Sequence, residues 1–332
     1  VFSNVTYNHN GGQTVSDGTG VIDTGGAQFY NYQKNGGACY VFGTMVVLGT
    51  FDQIENDGDL ATNGSEARIY CHGNIRSADA TVRLTAGTGV DLWMVGTGDQ
   101  YLTQPQDATY YEFTTGDIFC DKSSGTVYHV DAIDYFNDDQ GVDLTILSGT
   151  VDMSLGTAYI GGTLDLRAGG CLLAPEGASG RLHADDALIL SGAAYFNHNG
   201  GWYTFSGSSH IMAGTHELYS VLIDASKCGI TDTCNVLGTL FMKNLTNLSG
   251  YGSKARFYVH GDVKGSDSGI WNGSGHTKLE IWFVGTQDQK FMSTGPDAEF
   301  GRGSVFVEKT SGTVYQLGSV DYHTGCLLYT SD

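Results

Sequence analysis

Proline is nearly absent from this chain, 3 residues in 332, so no proline-bearing linker marks a domain boundary. Helical signals are as scarce. No stretch sets apolar residues at three-and-four spacing between caps, which argues against helices as building units. No apolar run reaches membrane length, and membrane insertion is not expected. Basic residues are few: Lys and Arg total 16 against 36 Asp and Glu, a net charge of −20. That excess of carboxylates argues against a nucleic-acid backbone or an anionic membrane as partner. It favours solubility and leaves room for a divalent cation. The 7 cysteines are an odd count, with no Cys-x-x-Cys and no Cys/His set at zinc spacing. Phosphate-cradling loops, a Gly-x-Ser-x-Gly elbow and His-Glu-x-x-His are missing as well.

What the chain has is glycine, 49 residues, and a pattern that returns on itself. Tyr7-Asn8-His9-Asn10-Gly11-Gly12 comes back as Phe196-Asn197-His198-Asn199-Gly200-Gly201, 189 residues on. Ala67-Arg68-Ile69-Tyr70-Cys71-His72-Gly73 comes back as Ala255-Arg256-Phe257-Tyr258-Val259-His260-Gly261, and Leu92-Trp93-Met94-Val95-Gly96-Thr97 as Ile281-Trp282-Phe283-Val284-Gly285-Thr286. Ser124-Gly125-Thr126-Val127-Tyr128 recurs as Ser311-Gly312-Thr313-Val314-Tyr315. Four blocks in one order define a first copy over residues 1–195 and a second, truncated copy over 196–322. Residues 323–332 leave the pattern and read as a tail that is not native to the repeat. The chain opens inside the pattern, without an initiator Met or a signal peptide, so a segment of a longer array is expected. Long tandem repeats point to solenoids or strings of domains before they point to enzymes.

The copies also interpret the cysteines. Cys71 stands where the second copy has Val259, and Cys120 where it has Val307. Cys39 and Cys228 share one repeat position. These are expected as small buried hydrophobes, although Cys228 and Cys234 are close enough in sequence to pair.

Short alternating strands punctuated by Gly, Asn, Asp and Ser fill the chain. Val142–Ile146, Thr150–Leu155, Thr163–Leu166 and Ala187–Leu190 are expected strands between glycine turns. Tandem β-sandwiches and a parallel β-helix both suit such a pattern. The shortness of the strands and the low proline count favour the β-helix. So does the spacing of large aromatics: Tyr70, Trp93 and Phe119 lie 23 and 26 residues apart, and Tyr258, Trp282 and Phe306 lie 24 and 24 apart. The expected fold is all-β, a parallel β-helix with coils of about two dozen residues stacked at roughly 4.8 Å.

Alternation then assigns faces. Ala67, Ile69 and Cys71 are small or apolar, as are their counterparts Ala255, Phe257 and Val259, and should point inward. Tyr70, Trp93 and Phe119 then point outward in one column, and Tyr258, Trp282 and Phe306 in another. A register slip of one residue would put the same aromatics in the core. Outward columns of this kind serve as an assembly seam or as a platform for sugar rings.

Phe196-Asn197-His198-Asn199-Gly200-Gly201 followed by Thr204-Phe205-Ser206-Gly207-Ser208, and Asn235-Val236-Leu237-Gly238-Thr239-Leu240, resemble the repeats of large β-helical surface proteins. These are the filamentous-haemagglutinin-like and autotransporter-like adhesins, with virus tail-fibre proteins similar in texture. The resemblance implies an extracellular or cell- or virion-surface β-solenoid that spans distance and presents a surface. It carries no catalytic residues over. The chain departs from it in aromatic richness, with 19 Tyr, 15 Phe and 4 Trp, which favours packing between neighbouring chains over a plain spacer.

The carboxylates are the candidate groups for chemistry. A glycosidase needs two at a defined separation, and Asp138-Asp139 and Asp185-Asp186 are the candidates, both in turn-like contexts. Asp143, Asp152 and Asp165 sit outward on successive strands and form a candidate calcium row, without the glycine-aspartate nonapeptide of calcium-binding β-rolls. His72 and His260 have no recurring partner and read as surface histidines. The leading expectation is a non-catalytic structural segment of a surface fibre or adhesin, without a cofactor, that contacts neighbouring repeats or other subunits. A carbohydrate-binding module built on the two aromatic columns is the alternative, and a β-helical polysaccharide hydrolase or lyase a third.

Overall fold

The structure is a computed structural model. It describes residues 10–35, 39–53, 60–61, 67–77, 83–85, 90–103, 111–114, 116–130, 133–135, 141–244, 247–266, 269–270, 279–293, 299–300, 304–318, 321–322 and 327–330. Among these there is no helix. The chain is a parallel β-solenoid with about 23 residues per turn. It divides into two compact units: Val1–Ala174 with Ala193–Asn197, and Pro175–Gly192 with His198–Asp332.

In the first unit one ladder runs Thr44–Val47, Ala67–Cys71, Val90–Gly96, Ile118–His129, Leu144–Asp152, Thr163–Leu173, each strand parallel to the next. A second runs Gln13–Asp17, Asn31–Asn35, Phe51–Gln53, Ile75–Ser77, Gln100–Thr103 and on into the far half of Ile118–His129. A third side is built from Gly20–Asp23, Cys39–Phe42 and Leu60–Ala61, and from Arg83–Thr85, Tyr111–Thr114, Ile133–Tyr135 and Thr157–Ile160. Residues one coil apart therefore sit in register. Ile69, Leu92, Ile118, Leu144 and Leu164 form one buried row along the axis, and Cys71, Met94, Cys120, Ile146 and Leu166 the next.

The second unit repeats the scheme. Arg181–Ala184, Trp202–Met212, Ser220–Val236, Leu240–Lys243, Val263–Ser266, Gln289–Ser293 and Val314–Leu317 form one ladder. The far end of Ser220–Val236 starts another, through Asn247–Val259, Leu279–Phe283, Ser304–Val307 and Leu327–Thr330. The last of these strands lies in the segment expected to leave the repeat, and it pairs with the coil before it in unbroken register.

Alternation delivers the expected faces. Ala67, Ile69, Cys71, Val90, Leu92, Met94, Ala255, Phe257 and Val259 are buried, while Arg68, His72 and His260 are exposed. Five of the six described cysteines are buried and all six are free, so Cys228 and Cys234 do not pair. Burial pushes the thiols of Cys120 and Cys228 up to about 12, the behaviour of inert core residues.

The strand boundaries within 141–192 differ from the sequence reading. Leu144–Asp152 is one strand that passes through Gly149, and Thr163–Leu173 is one strand that passes through Gly169 and Gly170. The glycines bend the strand without ending it. Gly149 takes φ 83° beside a register shift between Ile146 and Ser148, a bulge that turns a solenoid corner while the ladder continues.

Candidate functional site

The two aromatic trios occupy adjacent rungs, as the spacing predicted. Trp93 is in register with Tyr70 on one side and Phe119 on the other. Tyr258, Trp282 and Phe306 repeat this in the second unit. All six are half-buried, on the side of the strand opposite the core rows. Ring centroids are 5.5 Å apart for Tyr70–Trp93 and 4.3 Å for Trp93–Phe119, the latter stacked at 17°. The second column gives 5.7 Å for Tyr258–Trp282 and 4.1 Å for Trp282–Phe306, stacked at 11°. Ladder spacing is close to the centroid separation of an offset-stacked aromatic pair, so each ring covers the face of its neighbour. Arg68 lies 5.9 Å from the Trp93 ring centroid, and Arg256 lies 5.2 Å from that of Trp282.

Polar groups brace the second column more fully than the first. Glu280 Oε2 accepts from Arg256 Nε at 2.6 Å and from Trp282 Nε1 at 2.9 Å. Asp91 occupies the corresponding position in the first column, in register with Arg68, and is one methylene shorter. Trp93 Nε1 is buried there without an acceptor.

The calcium row does not form. Asp165 is in register with Thr145, and Asp152 with Leu173, so the three carboxylates do not line one row, and Asp165, expected to face outward, is buried. Each is held locally. Asp143 Oδ1 accepts from Thr163 N at 2.6 Å, Asp152 Oδ1 from Ser154 N at 2.9 Å, and Asp165 Oδ2 from Arg167 Nε at 2.6 Å. Among the described residues no three His, Cys, Asp or Glu side chains gather as a metal site. Of the carboxylate pairs, Asp185 accepts from Ser206 Oγ, Asp186 is exposed, and Asp138-Asp139 lies outside the described residues.

Sequence reasoning missed a corner that recurs in both units. Asp99 Oδ1 accepts from Thr126 N one coil on at 2.9 Å, and Asp288 Oδ1 from Thr313 N at 2.8 Å. Asn74 and Asp262 do the same for Tyr101 N and Lys290 N, and Asn31 and Ser220 for Thr50 N and Thr239 N. Each short polar side chain satisfies a backbone N–H that the turn leaves outside the ladder. Beside these caps Gln100 Nε2 donates to Cys71 O and Gly73 O, both at 2.8 Å, and its Oε1 accepts from the buried Lys122 Nζ at 2.8 Å. Gln289 and Lys309 reproduce the arrangement. The available signal was the recurrence of Asp99-Gln100 as Asp288-Gln289 and of Lys122 as Lys309 at the repeat offset. A second outward stack was also missed: Tyr101 and Tyr128 lie 5.1 Å apart at 17°, and the second copy has Lys290 in place of Tyr101.

No family model, curated protein or solved structure matches this chain. The functional reading therefore rests on this geometry. No helix among the described residues is long and apolar enough to cross a membrane.

Proposed function

We propose that this chain is a non-catalytic structural segment of an extracellular or surface-attached β-helical fibre or adhesin, one that spans distance and contacts neighbouring repeats or subunits. The observation that carries this reading is the allocation of its conspicuous side chains. The aromatics stack on each other from coil to coil, and the corner Asp, Asn and Ser cap the backbone of the next coil. Both devices stiffen a stack of turns, and neither leaves a reactive group aimed into a cavity. A solenoid held this way resists bending, and its nearest-neighbour contacts allow repeats to be added without changing the unit.

The carbohydrate-binding alternative uses the same columns. Sugar rings dock on open aromatic faces, whereas Trp93 and Trp282 have theirs covered by Phe119 and Phe306. Ring edges remain for a polar ligand, while Arg256 is already engaged by Glu280 and the Tyr258 hydroxyl. The two readings separate by experiment. Concentration-dependent filaments or rods under negative stain, with no retention on a glycan array, support the structural role. Retention that is lost in Trp93→Ala plus Trp282→Ala would replace it with sugar binding. Release of reducing ends or unsaturated products from acidic polysaccharides would overturn both in favour of an enzyme.

A further inference from the structure

Lysine is a costly residue to bury in a solenoid, and Lys122 is buried against a glutamine that recurs in the second unit beside a half-buried lysine, Lys309. Lys122 is 1% exposed, with Nζ 2.8 Å from Gln100 Oε1. Lys309 Nζ stands 2.6 Å from Gln289 Oε1. Both glutamine amides are held from behind. Gln100 Nε2 donates to two backbone carbonyls of the preceding coil, and Gln289 Nε2 does so to Val259 O at 2.8 Å and Gly261 O at 2.6 Å. Neighbouring positions drift between the copies, Cys71 to Val259, Met94 to Phe283 and Cys120 to Val307, while the lysine and the glutamine stay.

A hydrogen-bonding role alone accounts poorly for this. An ammonium has three N–H groups to satisfy; Lys122 Nζ has one acceptor, Gln100 Oε1, among the described residues, whereas Lys309 Nζ donates to Gln287 O at 2.8 Å as well as to Gln289 Oε1. Burial disfavours the charged form and pulls the amines of Lys122 and Lys309 below the usual lysine range. Once the amine loses a proton it has a lone pair, and a lone pair next to a fixed carboxamide is a nucleophile beside an acyl group.

We propose that Lys122 with Gln100, and Lys309 with Gln289, are sites of intramolecular amide exchange that join successive coils covalently. The Nζ lone pair attacks Cδ of the glutamine and the Nζ–Cδ bond forms. The Cδ–Nε2 bond then breaks, with its electron pair leaving on nitrogen. A proton lost from Nζ passes to Nε2, which departs as ammonia. No oxidant, reductant or co-reactant is required. Asp99 and Asp288, each one residue before the glutamine, are the carboxylates whose charge Lys122 and Lys309 feel. The product is a secondary amide that closes each coil into a covalent ring, a staple suited to a chain under tension. The inference is independent of what the surface binds.

Intact-mass measurement on the denatured wild-type protein, after incubation of the folded protein in mildly alkaline buffer, tests it. The expected mass is below the sequence mass by two ammonia. Lys122→Met lowers the loss to one, and Lys122→Met with Lys309→Met abolishes it. Asn-Gly pairs also release ammonia when they form succinimides, so the deciding product is a branched proteolytic peptide joining Gln100 to Lys122. Wild-type protein at its full sequence mass, or ammonia loss with no branched peptide, overturns the proposal. The wild-type measurement decides even if the variants fail to fold.

Discussion

Replacing Asp91 by Glu isolates an indole donor that the first aromatic column leaves without an acceptor. Trp93 Nε1 is buried and unbonded, whereas Trp282 Nε1 donates to Glu280 at 2.9 Å. Asp91 and Glu280 precede their tryptophans by two residues and lie in register with Arg68 and Arg256. The longer side chain at position 91 should therefore reach the indole as Glu280 does. A buried donor without a partner carries a desolvation penalty of roughly 1–3 kcal/mol. Two effects reduce the recovery. The column is half-buried, and Asp91 Oδ1 gives up the Asp117 N–H, a long bond at 3.3 Å. A net gain of about 1 kcal/mol remains, which in a unit of this size raises Tm by roughly 2–4 °C. The reverse change, Glu280→Asp, should cost about as much. The 4 tryptophans give separable indole N–H resonances in a nitrogen-15 spectrum. In Asp91→Glu the Trp93 indole proton should move downfield and exchange more slowly, and in Glu280→Asp the Trp282 proton should do the opposite. If Asp91→Glu changes neither Tm nor the Trp93 resonance while Glu280→Asp destabilises, the equivalence of the two columns is wrong.

The glycine corners make a sharper contrast. A Cβ at Gly73 would lie 2.6 Å from the Gly49 carbonyl carbon, and one at Gly261 equally close to that of Gly238. Gly73→Ala and Gly261→Ala should each cost about 2–3 kcal/mol in chemical denaturation, because backbone cannot yield as a side chain can. Gly98→Ala, which meets open space, should stay within about 0.5 kcal/mol. His129 supplies a pH prediction, since burial holds its imidazole down at about 3. The neutral form is the one that the fold prefers, so this stabilisation is complete above the unfolded value near 6.5 and is lost as pH falls toward the folded one. At pH 5 the loss should be about 2 kcal/mol, read as a shift in urea midpoint, and His129→Phe should remove that part of the slope. An unchanged slope in the variant would mean that the ring is hydrated in the native protein.

What was legible in this chain is what periodicity encodes. The coil, its length and the in-register aromatics follow from residues such as Tyr70, Trp93 and Phe119, which recur at one spacing and keep one parity within their strands. Parallel stacking turns a spacing along the chain into a contact in space, and a column is its direct consequence. The glycines at 149, 169 and 170 were misread because a turn that ends a strand and a bulge that bends one draw on the same residue. The calcium row failed for a related reason. Asp143, Asp152 and Asp165 read alike as polar residues of alternating strands, but Asp165 is buried, and 9 and 13 residues are not multiples of a coil, so the register sends them to different rungs. Gln100 and Lys122 went unnoticed because their meaning is not local. Neither belongs to a motif, and each looks like a solvated side chain until the ladder that pairs Gln100 with Val127 brings the two inside the corner together. Comparing the copies would have revealed them: a Lys and a Gln retained where the surrounding apolar residues drift are held by a polar contact, since packing alone tolerates exchange.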